Sequence, residues 1–141
     1  MFKCSLAKLN MLAVLLSGVV SAEAGVAVVV NPSVSASGDV GDVARLFLGK
    51  SADLGGVSLK PIDQEEGAPA REEFYQKAAQ KSAAQLNAYW SRIIFTGKGQ
   101  PPKTVLDDEE VKEYVAKDPT AIGYIDSGAV DSSVKVVVVV E

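Results

Sequence analysis

The sequence predicts an α/β fold: a single three-layer lobe in which a mixed or largely parallel central sheet is flanked by helices. Three observations predict it. Short apolar runs of strand length alternate with stretches that carry helix-capping residues. The runs Val26–Val30 and Val134–Val140 are nearly unbroken valine, the pattern of strands covered on both faces. No repeat and no composition shift divides the chain, so strands and helices share one core.

The elements follow in order. Gly25 to Asn31 reads as a buried strand that Asn31-Pro32 ends. A small-residue loop leads to a helix over about Asp39 to Leu48, with Ser37 as its candidate cap and Val40, Val43, Ala44 and Phe47 facing inward. Gly49 closes it. Val57 to Ile62 forms the second strand, with Pro61 suited to an edge or a strand end. A Gly-Ala-Pro turn then feeds a helix from about Pro69 to Ala79. Ser82-Ala83-Ala84-Gln85 matches a capping box, so another helix starts there and ends near Thr96-Gly97. Lys98 to Lys103 is a stiff polar loop, and Asp107 to Glu110 opens a helix that reaches about Lys117. Pro119 stops that helix. Ala121 to Ile125 is a third strand, Ser127-Gly128 a turn, and Val134 to Val140 a last strand expected at the centre of the sheet.

At 141 residues and 48% hydrophobic content, the chain has enough apolar material for one domain. Its first 22 residues read as a cleaved secretory signal. Lys3 and Lys8 form the basic region, Met11 to Val20 the short apolar region, and small residues offer cleavage after Ala22 or Ala24. The apolar region is about half as long as a spanning helix requires. Cys4 precedes it, so it is not placed to be a lipidated cysteine. Residues 23–141 are then a single exported domain, and a fold without disulfides suits the periplasm. Cleavage after Ala22 removes Lys3 and Lys8 and makes the chain more acidic than its full-length charge of −4. That balance argues against nucleic acid as a partner.

Missing residue types narrow the chemistry. There is no histidine, and the one cysteine lies in the leader. A Ser-His-Asp triad, a Cys-His pair and an ordinary zinc site therefore have no ligands here, and no cofactor or metal motif is present. Adjacent acids at Glu65/Glu66, Glu72/Glu73 and Asp107 to Glu110 fit solvated helix starts better than an acid/base pair. Lys81-Ser82 is more simply a helix start than a serine–lysine catalyst. The expectation is a protein that is not an enzyme.

What remains is binding, and it centres on Asp63 to Phe74. A strand that enters a helix through Gly67 and Ala68 aims backbone N–H groups at one point, where they can hold an anion. Arg71 adds a fork of donors for an oxyanion, and the helix start at Ser82 supplies further amides. The plainer reading is a well-capped helix whose dipole is already met by Glu72 and Glu73. Lys50, Lys98 and Lys103 lie in loops as auxiliary charge or plain solubility residues. Trp90 with Tyr89 fits core packing better than a ligand platform, while Tyr124 is compatible with core or cleft.

Four pieces occur in order: Leu46-Phe47-Leu48-Gly49-Lys50, then Pro61-Ile62-Asp63 through Phe74, then Tyr89-Trp90 with Phe95-Thr96-Gly97-Lys98-Gly99, and Pro119 to Ile125. This series resembles the phosphate-type substrate-binding proteins of bacterial ABC transporters, which have the type 2 periplasmic binding protein fold, and in particular their short single-lobe members. The resemblance spans about Val26 to Val140. It implies phosphate or a similar small oxyanion as ligand, with Asp63, Gly67, Ala68, Arg71, Ser82 and Tyr124 as candidate site residues. It also implies an ABC transporter permease or a second lobe as partner. Two departures stand out. The chain is little more than one of the two lobes that enclose phosphate in full-length members. Ala68-Pro69-Ala70 stands where the family's phosphate loop is rich in hydroxyls and amides. The alternative expectation is a non-catalytic envelope interaction module that kept the lobe and lost ligand binding.

Overall fold

Residues 25–141 are described by a computed structural model; the expected leader, with its cleavage points at Ala22 and Ala24, lies outside them. Seven strands and four helices follow in the order β1 (Val26–Val30), α1 (Val40–Phe47), β2 (Asp53–Leu54), β3 (Val57–Ser58), β4 (Lys60–Gln64), α2 (Pro69–Ala79), α3 (Ala83–Phe95), β5 (Lys103–Val105), α4 (Asp108–Lys117), β6 (Ala121–Asp126) and β7 (Lys135–Val140). β2 and β3 make a small hairpin, and the other five form one sheet in the order β5-β4-β6-β1-β7.

The sheet is mixed. β4 runs parallel to β5 and β6, whereas β1 is antiparallel to both β6 and β7. Alternation along β1 divides the core as a pleated strand requires. Val26, Val28 and Val30 face α1, α2 and α3 with Phe47, Phe74, Leu86 and Trp90. Ala27 and Val29 face α4 with Val111 and Val115. Each buried valine contributes about 1.5–3 kcal/mol of transfer free energy. Helices therefore cover both faces, giving the three layers expected. Gly123 on β6 sets the spacing of one layer, because a Cβ there would stand 2.5 Å from Val111 Cγ1 on α4.

Helix starts follow local chemistry. Pro69 is the first residue of α2. Ser82 and Gln85 exchange the two bonds of a capping box at α3, and the Asp107 side chain accepts the Glu110 N–H at α4. The cap of α1 is Asp39 rather than Ser37: its carboxylate accepts the Asp42 N–H at 2.8 Å while Asp42 accepts the Asp39 N–H. A charged acceptor directly before Val40 outcompetes a hydroxyl two residues earlier.

Three further expectations are corrected. The run Val57 to Ile62 is two strands, because Leu59 turns inward and separates the hairpin from β4. β5 begins at Lys103, within what reads as loop. β7 is an edge strand and not a central one, since β1 occupies the place between β6 and β7. Its pairing to β1 skips Val137, which forms a bulge between Val136 and Val138.

Candidate functional site

The carboxyl end of β4 carries two polar side chains, Asp63 and Gln64, each only 2% exposed. A carboxylate so deep needs donors on all sides. Asp63 accepts the Tyr75 hydroxyl at 2.5 Å, the Tyr124 hydroxyl and the Gln64 N–H at 2.8 Å. Arg71 Nη1 stands 3.5 Å from its Oδ2 and donates to the Gln64 carbonyl at 2.8 Å. Gln64 Nε2 in turn donates to Asp108 Oδ1 at 2.7 Å and to the Tyr124 carbonyl at 3.0 Å. The network thus joins β4, α2, β6 and the start of α4. Aromatic rings roof it, with Phe74 and Tyr124 stacked at 4.3 Å and the Arg71 guanidinium 5.6 Å from the Tyr75 ring.

Burial shifts these groups strongly. Loss of water raises Asp63 above the ordinary carboxylate value, although both tyrosine hydroxyls, the Arg71 charge and the Gln64 amide pull it down. Burial, then the adjacent Asp63 charge, pushes Tyr75 and Tyr124 upward, so both stay protonated donors.

Directly outside lies a cavity of about 230 Å³ lined by Glu66, Gly67, Arg71, Lys81, Ser82 and Ala83 among others. It is smaller than pockets that take drug-sized ligands, and its size suits a small ion. Gly67, with φ 93°, makes the turn that lets the chain pass from β4 into α2 beside it. The cavity's charge is mixed: Arg71 and Lys81 are offset by Glu66 and Glu72.

The six residues predicted from sequence are placed as follows. Asp63, Arg71 and Tyr124 share the buried network, and Gly67, Arg71 and Ser82 border the cavity. Ala68 faces a separate, open hollow with Asp107, Asp108 and Asp126, a poor charge environment for an anion. Two expected donors at the start of α2 are engaged, since the amides of Arg71 and Glu72 turn back to the Ala68 carbonyl, and Pro69 has none. Tyr124 is wholly core, and so, at 7% exposure, is Trp90. Lys50 and Lys103 stand over the Tyr89 and Tyr114 rings, and neither lines the cavity. Tyr75 was not singled out from sequence, Gln64 was read only as part of the Asp63 to Phe74 stretch, and Asp108 was read as a solvated helix start although it accepts from Gln64. The only signal for Tyr75 is a hydroxyl on a helix position flanking the buried Phe74.

Among the described residues, no group of three acidic, histidine or cysteine side chains is placed to hold a metal, and no helix is long and apolar enough to cross a membrane.

No protein-family model and no curated protein matches the sequence. Solved structures do match the fold. An ABC-type phosphate transport receptor from Vibrio cholerae aligns with TM-score 0.61 and 19% identity, over 81% of this chain and 45% of that one. A putative phosphate ABC transporter substrate-binding protein with bound phosphate from Clostridium perfringens gives the same TM-score and identity, over 81% and 44%. PstS from Borrelia burgdorferi aligns with TM-score 0.57 and 15% identity, over 81% and 47%. The chain therefore spans less than half the length of these structures, and what it shares with them is the fold of one part.

Proposed function

We propose that this protein is a solute-binding-like lobe that takes phosphate or another small oxyanion at the cavity beside Gly67, Arg71 and Ser82, without catalysis. One observation carries the reading. A guanidinium held by a buried carboxylate faces the same small cavity as the α3 start at Ser82 and Ala83. Arg71 bonds the protein through Nη1, and a guanidinium has further N–H groups to offer an oxyanion. Asp63, with Tyr75 and Tyr124 behind it, fixes the direction of that fork. The phosphate receptors named above support phosphate as the first ligand to try, and an ABC permease or a second lobe as the partner that closes the site. The leader-like first 22 residues support export to the periplasm, with residues 23–141 as the working domain.

A second reading is favoured by the donors already engaged at α2 and by the acids around the cavity. In it the lobe is an envelope interaction module that no longer binds solute. Calorimetric titration with phosphate and then sulfate separates the two, paired with thermal unfolding at millimolar anion. Binding that is lost in Arg71→Lys, while the variant still unfolds cooperatively, supports the receptor. No heat and no rise in Tm at millimolar phosphate removes it in favour of the module.

A further inference from the structure

The acids that weaken the cavity as a site for a bare anion are arranged in a definite order with its cations. Arg71 and Lys81 line it together with Glu66 and Glu72. Asp63 stands behind Arg71, so two cations are set against three carboxylates, and a site with one negative charge in excess suits a bare dianion poorly. The two signs also lie at different depths. Along α2, Arg71 and Tyr75 are four residues apart and share the inward row, while Glu72 and Gln76 share the neighbouring row, about 100° round the helix. The Arg71 side chain is 14% exposed and Tyr75 is buried, whereas Glu66 and Glu72 are exposed. Arg71 therefore marks the inner end of the cavity and the two glutamates its rim. The rim carboxylates have oxygens to offer. Glu72 makes no side-chain hydrogen bond or ion pair among the described residues, and Glu66 engages only Oε1, on Asn87 at 3.0 Å. Tyr75 and the buried Leu86 add apolar wall.

We propose that the cavity takes a small free zwitterion, an aminoalkyl sulfonate or phosphonate whose oxyanion lies on Arg71 and whose ammonium meets Glu66 and Glu72 at the rim. This rests on the receptor reading above and narrows its solute from any small oxyanion to one that carries its own cation. Charge selects it, because the ammonium cancels the excess that an anion alone would worsen. Donor and acceptor counts agree, since an ammonium has three donors and the rim carboxylates only accept. Size agrees as well: about 230 Å³ admits a spacer of a few carbons beside Tyr75 and Leu86 and excludes a drug-sized ligand. Lys81 is half-buried with its ammonium 5.3 Å from the Tyr89 ring, which leaves Arg71 as the main holder of the oxyanion.

Calorimetric titration with 2-aminoethanesulfonate and with ethanesulfonate tests this. The two differ only in the amine, and the sulfonate keeps one negative charge throughout the working pH range. Phosphate is titrated beside them. The expected result is that the amine tightens binding about fivefold or more, the scale of exposed charge pairs, of which two act here. Glu72→Gln, at an exposed position, should at least halve that preference by weakening the amine ligand while ethanesulfonate binds no more weakly. No binding of any of the three anions removes the receptor reading and the zwitterion with it. Binding of phosphate or ethanesulfonate with an amine preference under about twofold overturns the zwitterion alone. A preference that Glu72→Gln leaves unchanged overturns it equally. Phosphatidylethanolamine vesicles that displace 2-aminoethanesulfonate overturn the free solute in favour of a lipid headgroup, and vesicles that leave it bound support a free one.

Discussion

Replacing Tyr75 by Phe removes one oxygen from the middle of the buried network and leaves the ring. The hydroxyl donates to Asp63 at 2.5 Å where both residues are 2% exposed, so no water replaces it. A hydrogen bond to a charged group is worth about 1.5–3 kcal/mol, and the abandoned carboxylate lone pair adds desolvation cost. We expect a loss of about 2 kcal/mol at neutral pH, which lowers Tm by about 8 °C for a domain of this size. The pH dependence is the sharper test. Burial sets the folded pKa of Asp63 above its ordinary 3.8. The stabilising contribution of such a carboxyl is fully present below the unfolded value and fades as pH rises through the folded one. Tyr75→Phe withdraws a donor that favours the ionised form, so it lifts the folded pKa further. Its penalty is therefore largest at neutral pH and shrinks toward about pH 4. Urea unfolding of both proteins across that range is the assay. A penalty under about 0.5 kcal/mol, or one that does not change with pH, refutes the idea that Tyr75 holds an ionised Asp63.

Other substitutions read out other layers. Gly123→Ala places a methyl 2.5 Å from Val111 Cγ1 and should cost about 1–3 kcal/mol in denaturant unfolding, by forcing α4 off the sheet. Ser82→Ala removes the acceptor of the Gln85 N–H and should cost about 1 kcal/mol, with faster hydrogen exchange confined to the first turn of α3. Phe95→Ser, at a side chain 91% exposed, should leave stability within about 0.5 kcal/mol, and a large loss of Tm there would mean the α3 end is packed against something.

Much of this fold is legible because its signals are local. Pro69, the Ser82–Gln85 box and Asp107 each act on the next turn of chain, and the structure starts α2, α3 and α4 at those places. The valine run of β1 is buried at every position, as unbroken apolar strands are. What escaped is set by distant partners. Lys103–Val105 has no strand signature of its own and becomes β5 by pairing with Ile62 to Gln64. β7 resembles a central strand in composition, but only pairing decides which of two valine-rich strands takes the middle. Asp63 and Arg71 were visible as candidates through the turn between them. Tyr124 was a candidate too, through the resemblance, but Tyr75 was not, and the meeting of both with Asp63 joins different elements, which no spacing in one sequence encodes.

The central position of β1 also governs when the protein can become a protein. Val26 pairs with Asp126 on one side and Val140 on the other, so the first described strand waits for the last two. Local helices can flicker into place within microseconds, yet the sheet's middle stays open until β1 meets β6 and β7, about a hundred residues later. During synthesis β1 can pair with β6 first, but a nascent chain short of β7 leaves the other side of this valine strand without its partner. Assembly of the sheet's middle is therefore gated by the arrival of β6 and β7 rather than by the speed of the helices.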